Sequence, residues 1–339
     1  MEFGFSKEHA LLKQMYREFA ENEVKPLAAE VDEMERFPVE TVEKMVKAGF
    51  MGIPFPKKYG GEGGDNLGYA MAVEELSRVC GTTGVIVSAH TSLGAHPIFE
   101  FGTEEQKEKF LVPLAKGEKL GAFGLTEPNA RNHAAGQQTT AVLDGDEYVL
   151  NGSKIFITNA GYAHTYIIMA MTDKKAGTRG ISAFIVDADT PGFSVGPKEK
   201  KLGIRGSATC ELIFENCRIP KENILGKEGI GFKVAMKTLD GGRIGIAAQA
   251  LGIAQGALDE TIHYVKERKQ FGRSIANFQN TQFQLADMAA KIESARLLVY
   301  KAAYNKDKGL SYSYEAAMAK LVAAETAMEV TTKAVQLHG

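Results

Sequence analysis

Two stretches, Phe123-Gly-Leu-Thr-Glu-Pro-Asn-Ala130 and Lys154-Ile-Phe-Ile-Thr-Asn159, decide how this chain is read. Each reads as a loop that sets a threonine hydroxyl, Thr126 or Thr158, and open backbone beside apolar residues. Such a surface suits a flat heterocycle with polar edges. Between them, Thr139-Thr-Ala-Val-Leu143 and Glu147-Tyr-Val-Leu150 are strand-like and are joined through Asp144-Gly145. That is a strong hairpin signal, because glycine takes the positive φ of a tight turn at little cost. Asn151-Gly152 predicts a second turn directly after it.

Working outward, the β pattern continues through Tyr166–Met171, Ile181–Val186 and Glu211–Phe214. Turn signals recur at intervals of roughly ten residues, the spacing of a compact β-sandwich or barrel. Before residue 119 the chain reads as helical. Pro38 fits the first turn of the helix that follows it, and Gly49 fits a C-terminal cap with positive φ. Lys58-Tyr-Gly-Gly-Glu-Gly-Gly-Asp65 is a loop, and a further helix covers Ala70 to Val79. From residue 225 onward, apolar residues repeat at spacings of three and four, as in Ile244, Ala247, Leu251, Ala254 and Leu258. The fold class is therefore α+β. It has an N-terminal helical domain over 1–118, a central β domain over 119–224, and a C-terminal helical bundle over 225–339.

Net charge is −2 over 339 residues, which gives no electrostatic case for a nucleic-acid or anionic-membrane partner. The longest apolar run, Tyr166–Met171, is far short of the ~20 residues a membrane helix needs. No basic segment followed by an apolar one opens the chain, so it reads as cytoplasmic. The three cysteines, Cys80, Cys210 and Cys217, have no metal-ligand spacing and read as reduced, buried thiols. The zinc-protease, P-loop and serine-hydrolase signatures are absent, as is G-x-G-x-x-G after a strand, and no metal site is expected.

The two threonine stretches, in this order and with Lys119-Leu-Gly-Ala122 leading into the first, resemble the flavin pocket of the acyl-CoA dehydrogenase family. The resemblance runs from about residue 5 to the end. Within the family the chain most resembles the short-chain (butyryl-CoA) dehydrogenases of anaerobic bacteria, cut short at its C-terminus. The resemblance implies an N-terminal helical domain, a β domain and a four-helix bundle, here incomplete, assembled as a homotetramer. It implies FAD, a short-chain acyl-CoA substrate converted between butyryl-CoA and crotonyl-CoA, and electron-transferring flavoprotein as redox partner. By the same resemblance, Phe123, Leu125, Thr126, Phe156, Ile157 and Thr158 line the flavin. Arg268, Phe271, Gln279, Gln336 and Gly339 hold the rest of FAD, in part in a neighbouring subunit. Asn132, Asp240 and Arg243 hold substrate, with Leu239-Asp240-Gly-Gly-Arg243 opening the first long helix of the last domain. Gly272 reads as the stop of the helix carrying Arg268. A local helical ion pair is the plainer reading of Asp240 and Arg243.

Two departures from the family stand out. Arg131-Asn132-His133 replaces the expected Gly, Ser or Thr, and Asp. A compensated one-base slip through that stretch would write such a run. As it stands, Asn132 keeps hydrogen-bonding capacity, and Arg131 either strains the backbone or sets a guanidinium against a phosphate. The second departure concerns the catalytic Glu, which the resemblance places beyond Gly339. Some relatives carry the base just before the helical Arg, where this chain has Gly242. No catalytic residue is assigned within the 339. Two rival readings follow: a catalytically impaired FAD-binding fragment or paralogue, and a flavin monooxygenase on the same fold.

Overall fold

The computed structural model describes residues 6–339. Helices α1 (Lys7–Phe19), α2 (Lys25–Glu33), α3 (Val39–Lys47), α4 (Asn66–Val79), α5 (Gly81–Ala89), α6 (His96–Phe101), α7 (Glu104–Gln106) and α8 (Val112–Ala115) come first. Strands β1 (Gly121–Gly124), β2 (Thr140–Asp144), β3 (Glu147–Thr158), β4 (Thr165–Met171), β5 (Ile181–Asp187), β6 (Phe193–Lys198) and β7 (Thr209–Pro220) follow. Then come α9 (Gly231–Glu267), the short strands β8 (Lys269–Gln270) and β9 (Arg273–Ser274), α10 (Gln279–Asp307) and α11 (Ser313–His338). Gly49 has φ 77, as the sequence indicates, while Pro38 is the N-cap residue of α3, one position before the first turn in which the sequence places it. None of these helices is long and apolar enough to cross a membrane.

The chain divides into two compact units: residues 1–29, 65–85 and 243–339, and residues 30–64 and 86–242. This division cuts across the three sequence segments, since α1, α4, α10 and α11 share the first unit. There, α9 approaches α4 closely. A Cβ on Gly252 would lie 2.2 Å from the Glu74 carbonyl oxygen, and one on Gly256 2.0 Å from that of Arg78. Glycine is unfavourable in a helix by about 1 kcal/mol, so these two are retained for the close packing. Fully buried carboxylates on α4 are neutralised by neighbouring helices. Glu75 meets Arg17 of α1 at 3.0 Å, and Glu74 meets Arg296 of α10 at 3.1 Å.

The second unit is built on a seven-stranded sheet ordered β1-β4-β2-β3-β7-β6, with β5 on the other edge of β4. Its centre is β4, buried along its whole length. Alternation explains how one strand serves two cores. Ile167, Met169 and Met171 pack with helical residues such as Phe55, Phe110 and Leu114. Tyr166, Ile168 and Ala170 face Leu150, Leu212 and Phe214 of β3 and β7. The strands thus enclose one core and turn a second face to helices. Cys80, Cys210 and Cys217 are buried and unpaired, and burial pushes the Cys217 thiol up to about 11.

Three local expectations are corrected. The hairpin pairs Asp144 with Glu147, so its two-residue turn is Gly145-Asp146 and not Asp144-Gly145. Asn151-Gly152 makes no turn: β3 runs straight through it to Thr158 with a shift of register against β7. Gly152 has φ 138, and a Cβ there would meet Thr139 Cα at 2.7 Å, so glycine here marks a bulge. Asp240 and Arg243 do not open a helix, since α9 begins at Gly231. The pair Gly241-Gly242 looks like a helix start but lies inside one.

Candidate functional site

Lys154–Asn159 is not a loop, as its sequence suggests, but the second half of β3, bulged between Lys154 and Ile157. Phe156 sits at the bulge with φ 60, a left-handed conformation that costs an aromatic residue about 1–2 kcal/mol. The bulge breaks strict alternation. Lys154 and Ile157 point inward, while the Phe156 ring is 42% exposed. Phe123 ends up opposite because β1 runs parallel to β4, pairing it with Ile167. After β1 the chain leaves the sheet through Leu125 and Thr126 into a turn at Pro128-Asn129 closed by Glu127 and Ala130, and the Ile155 N–H donates to the Thr126 carbonyl at 2.8 Å.

The result is a cleft of about 150 Å³ lined by Phe123, Leu125, Thr126, Phe156, Ile157 and Thr158, with Ala89 and Leu93 forming the helical wall. All six residues assigned to the flavin from the sequence therefore meet in one place. The Thr126 and Thr158 hydroxyls have no hydrogen-bond partner among the described residues. Two unpartnered hydroxyls in a cleft whose other side chains are apolar fit a planar ring with polar edge atoms. The volume is below the ~300 Å³ of a typical small-molecule pocket, so it takes a ring system and not a whole dinucleotide. No lining residue carries an ionisable side chain.

Three buried groups that the sequence did not single out hold the cleft in shape. Lys154 Nζ lies 2.6 Å from Glu127 Oε1, donates to the Leu125 carbonyl at 3.3 Å, and bonds Gln137. Burial lowers Lys154 to about 8, while Glu127 is held below its ordinary value: its own burial is the largest single influence and acts upward, but the Lys154 charge and the hydrogen bonds from Lys154, Gln138 and Thr139 together outweigh it. His90 donates from Nε2 to the Leu114 carbonyl at 3.1 Å, and its Nδ1 accepts from the Gly121 N–H at 3.0 Å. Full burial lowers it to about 4, so it is neutral at pH 7. It belongs to a π-helical turn, His90–Ala95, which bears Leu93 and follows Ala89. Asn159, fully buried with φ 68, donates to the Ile86 carbonyl at 3.2 Å and ties the end of β3 to α5.

The remaining assigned residues lie elsewhere. Asn132 is exposed in the stretch between β1 and β2. Asp240 and Arg243 are half-buried, three residues apart on α9. Arg268 directly follows α9, and its N–H bonds the Tyr264 carbonyl at 2.8 Å. Phe271 stands at the tip of the β8–β9 hairpin, 91% exposed, against Phe278. Gly272, expected as a helix stop, is the turn residue of that hairpin with φ 78. Gln279 is the first residue of α10, and Gln336 and Gly339 are exposed at the end of α11. Nearby, the Tyr264 hydroxyl donates to the His338 carbonyl at 2.9 Å.

Comparison with known proteins identifies the family. Residues 6–118 match the acyl-CoA dehydrogenase N-terminal domain, 122–217 the middle domain and 229–339 the C-terminal domain. The chain is 66% identical over 339 residues to the short-chain specific acyl-CoA dehydrogenase of Clostridium acetobutylicum, covering 100% of this chain and 89% of that protein. Butyryl-CoA dehydrogenase from Megasphaera elsdenii superposes with a TM-score of 0.98 at 51% identity, covering 100% of this chain and 90% of that one. A chain from the structural study of the electron transferring flavoprotein of Acidaminococcus fermentans gives 0.99 at 58% identity, covering 100% and 89%. An acyl-CoA dehydrogenase complexed with FAD from Bacillus anthracis gives 0.92 at 36%, covering 99% and 60%. With all three of its domains matched and its cleft residues gathered where a ring fits, the chain belongs to the acyl-CoA dehydrogenase family.

Proposed function

We propose that this protein interconverts a short-chain acyl-CoA and its α,β-enoyl product, butyryl-CoA and crotonyl-CoA in the simplest case, with FAD as cofactor and electron-transferring flavoprotein as redox partner. The observation that carries this reading is the pair of unpartnered hydroxyls, Thr126 and Thr158, in a cleft otherwise walled by Phe123, Leu125, Phe156 and Ile157. When bound, FAD supplies the electron-accepting ring for the hydride that leaves the substrate β-carbon. The protein's part is to hold and shield. The two threonines donate to polar atoms of the ring edge, and Phe123, Leu125 and Ile157 keep water from its faces. Asn132, Asp240 and Arg243 are assigned to the CoA thioester. Arg268, Phe271, Gln279, Gln336 and Gly339 are assigned to the phosphates and adenosine of FAD, in part across subunits of a homotetramer.

Oxidation also removes the acidic α-proton, and the cleft wall has no carboxylate or imidazole to take it. Gly242, the position that carries the base in some relatives, has no side chain, so none of these positions supplies the base. The bare wall favours a second reading, a flavin-binding protein without dehydrogenation. Anaerobic addition of butyryl-CoA to the FAD-loaded protein separates the two. Bleaching of the visible flavin band supports the dehydrogenase. A band that persists with FAD still bound supports the second reading, because loss of a positioned base costs about 10²–10⁴-fold in rate.

A further inference from the structure

We propose that the Arg131 guanidinium is an anion-binding group at the mouth of the cleft and takes a phosphate of the flavin dinucleotide whose ring the cleft holds; the proposal rests on the flavin reading above. The guanidinium lies 4.6 Å from the centroid of the Phe156 ring, itself part of the cleft wall. A cation over an aromatic face is held there, and its edge N–H groups stay free for a ligand. Arg131 forms no ion pair among the described residues. Its backbone is fixed by its neighbour: Glu127 and Ala130 exchange two backbone hydrogen bonds of 3.2 Å, and Glu127 is anchored by Lys154.

Volume and charge point the same way. A cleft of about 150 Å³ takes the ring and leaves the phosphates outside. Those phosphates need positive charge, but the lining is uncharged, and Lys154 behind it is committed to Glu127. Among the described residues Arg131 is the cation that stands against the wall, and its planar fork of donors matches phosphate oxygens. Phosphates of a CoA substrate share this chemistry and are the competing source.

The test is a titration of FAD, FMN and riboflavin into the wild-type protein and Arg131→Gln at low and moderate salt, followed by a CoA thioester titration of the FAD-loaded forms. Arg131→Gln is expected to weaken FAD and FMN by roughly ten- to hundredfold, to leave riboflavin unchanged, and to flatten the salt dependence of FAD binding. Unchanged riboflavin affinity also reports that the variant is folded. Equal FAD-to-riboflavin preference in both proteins overturns the proposal and leaves the cleft reading intact. Weakened CoA thioester binding with FAD untouched overturns the flavin assignment in favour of CoA. A wild-type protein that binds no flavin overturns the cleft reading and the proposal together.

Discussion

Lys154 Nζ lies 2.6 Å from Glu127 Oε1, and both side chains are closed off from solvent. The pair joins β3 to the segment after β1 that carries Leu125 and Thr126, so one buried contact sets the distance between two walls of the cleft. Glu127 also accepts N–H bonds from Gln138 at 2.6 Å and Thr139 at 3.1 Å. Lys154→Met leaves a buried carboxylate without its cation, and removing one partner of such a pair costs about 3–5 kcal/mol. Thermal or denaturant unfolding should show that loss, and Lys154→Met with Glu127→Gln should recover part of it. A single variant as stable as wild type would mean that the pair does not brace the turn.

His90 gives a pH signature. Its folded value of about 4 lies below the ordinary 6.5, so in the folded protein it stays neutral where the unfolded chain takes up a proton. Stability from this group is present above about pH 6.5 and is lost as pH falls toward 4. The difference is worth about 3 kcal/mol. Unfolding measured from pH 7 to 4 should show this decline, and His90→Gln should lack that part of it. The same slope in both proteins would assign the acid sensitivity to other groups.

The approach of α9 to α4 predicts a steep contrast between glycines. Gly256→Ala puts a methyl group 2.0 Å from the Arg78 carbonyl oxygen and should cost about 1–3 kcal/mol or more as the helices part. At Gly203 a Cβ meets nothing within 4 Å, and Gly203→Ala should change stability by less than about 0.5 kcal/mol. Comparing melting temperatures of the two variants checks the helix contact directly.

Gly242 faces Leu93 of the cleft wall, and a Cβ there would lie 2.8 Å from Leu93 Cδ2, the far end of a flexible side chain. Gly242→Glu should therefore be accommodated once Leu93 shifts, placing a carboxylate beside the cleft. If proton removal limits turnover, the FAD-loaded variant should bleach with butyryl-CoA at least ~10²-fold faster than wild type. No acceleration in a folded, flavin-bound variant would place the limit at another step.

The six cleft residues were legible because Thr126 and Thr158 sit in recognisable stretches close in sequence. The frame behind them was not. Read as a regular strand, Lys154, Phe156 and Thr158 share one face, and nothing in their spacing announces the bulge that buries Lys154 and turns Phe156 outward. Gly152 carries the same ambiguity, since Asn-Gly signals a turn and a bulge alike, and only the nearness of Thr139 decides between them. The start of α9 at Gly231 is hidden because glycine is a poor helix former, while Gly241-Gly242 imitates a boundary. The buried Glu74 and Glu75 look like solvent-facing charges until α1 and α10 bring Lys13, Arg17 and Arg296 to them. Their partners lie far along the chain, where local pattern carries no information.

The central claim is that Thr126 and Thr158 hold a flavin ring in this cleft. The most direct test is a visible-absorbance titration of FAD into the wild-type protein and into Thr126→Val/Thr158→Val. Valine keeps the shape and removes both hydroxyls, so FAD affinity should fall by about tenfold or more while the melting temperature of the flavin-free protein stays within a few degrees. Undiminished FAD affinity in the double variant would contradict the account and place the flavin outside the cleft.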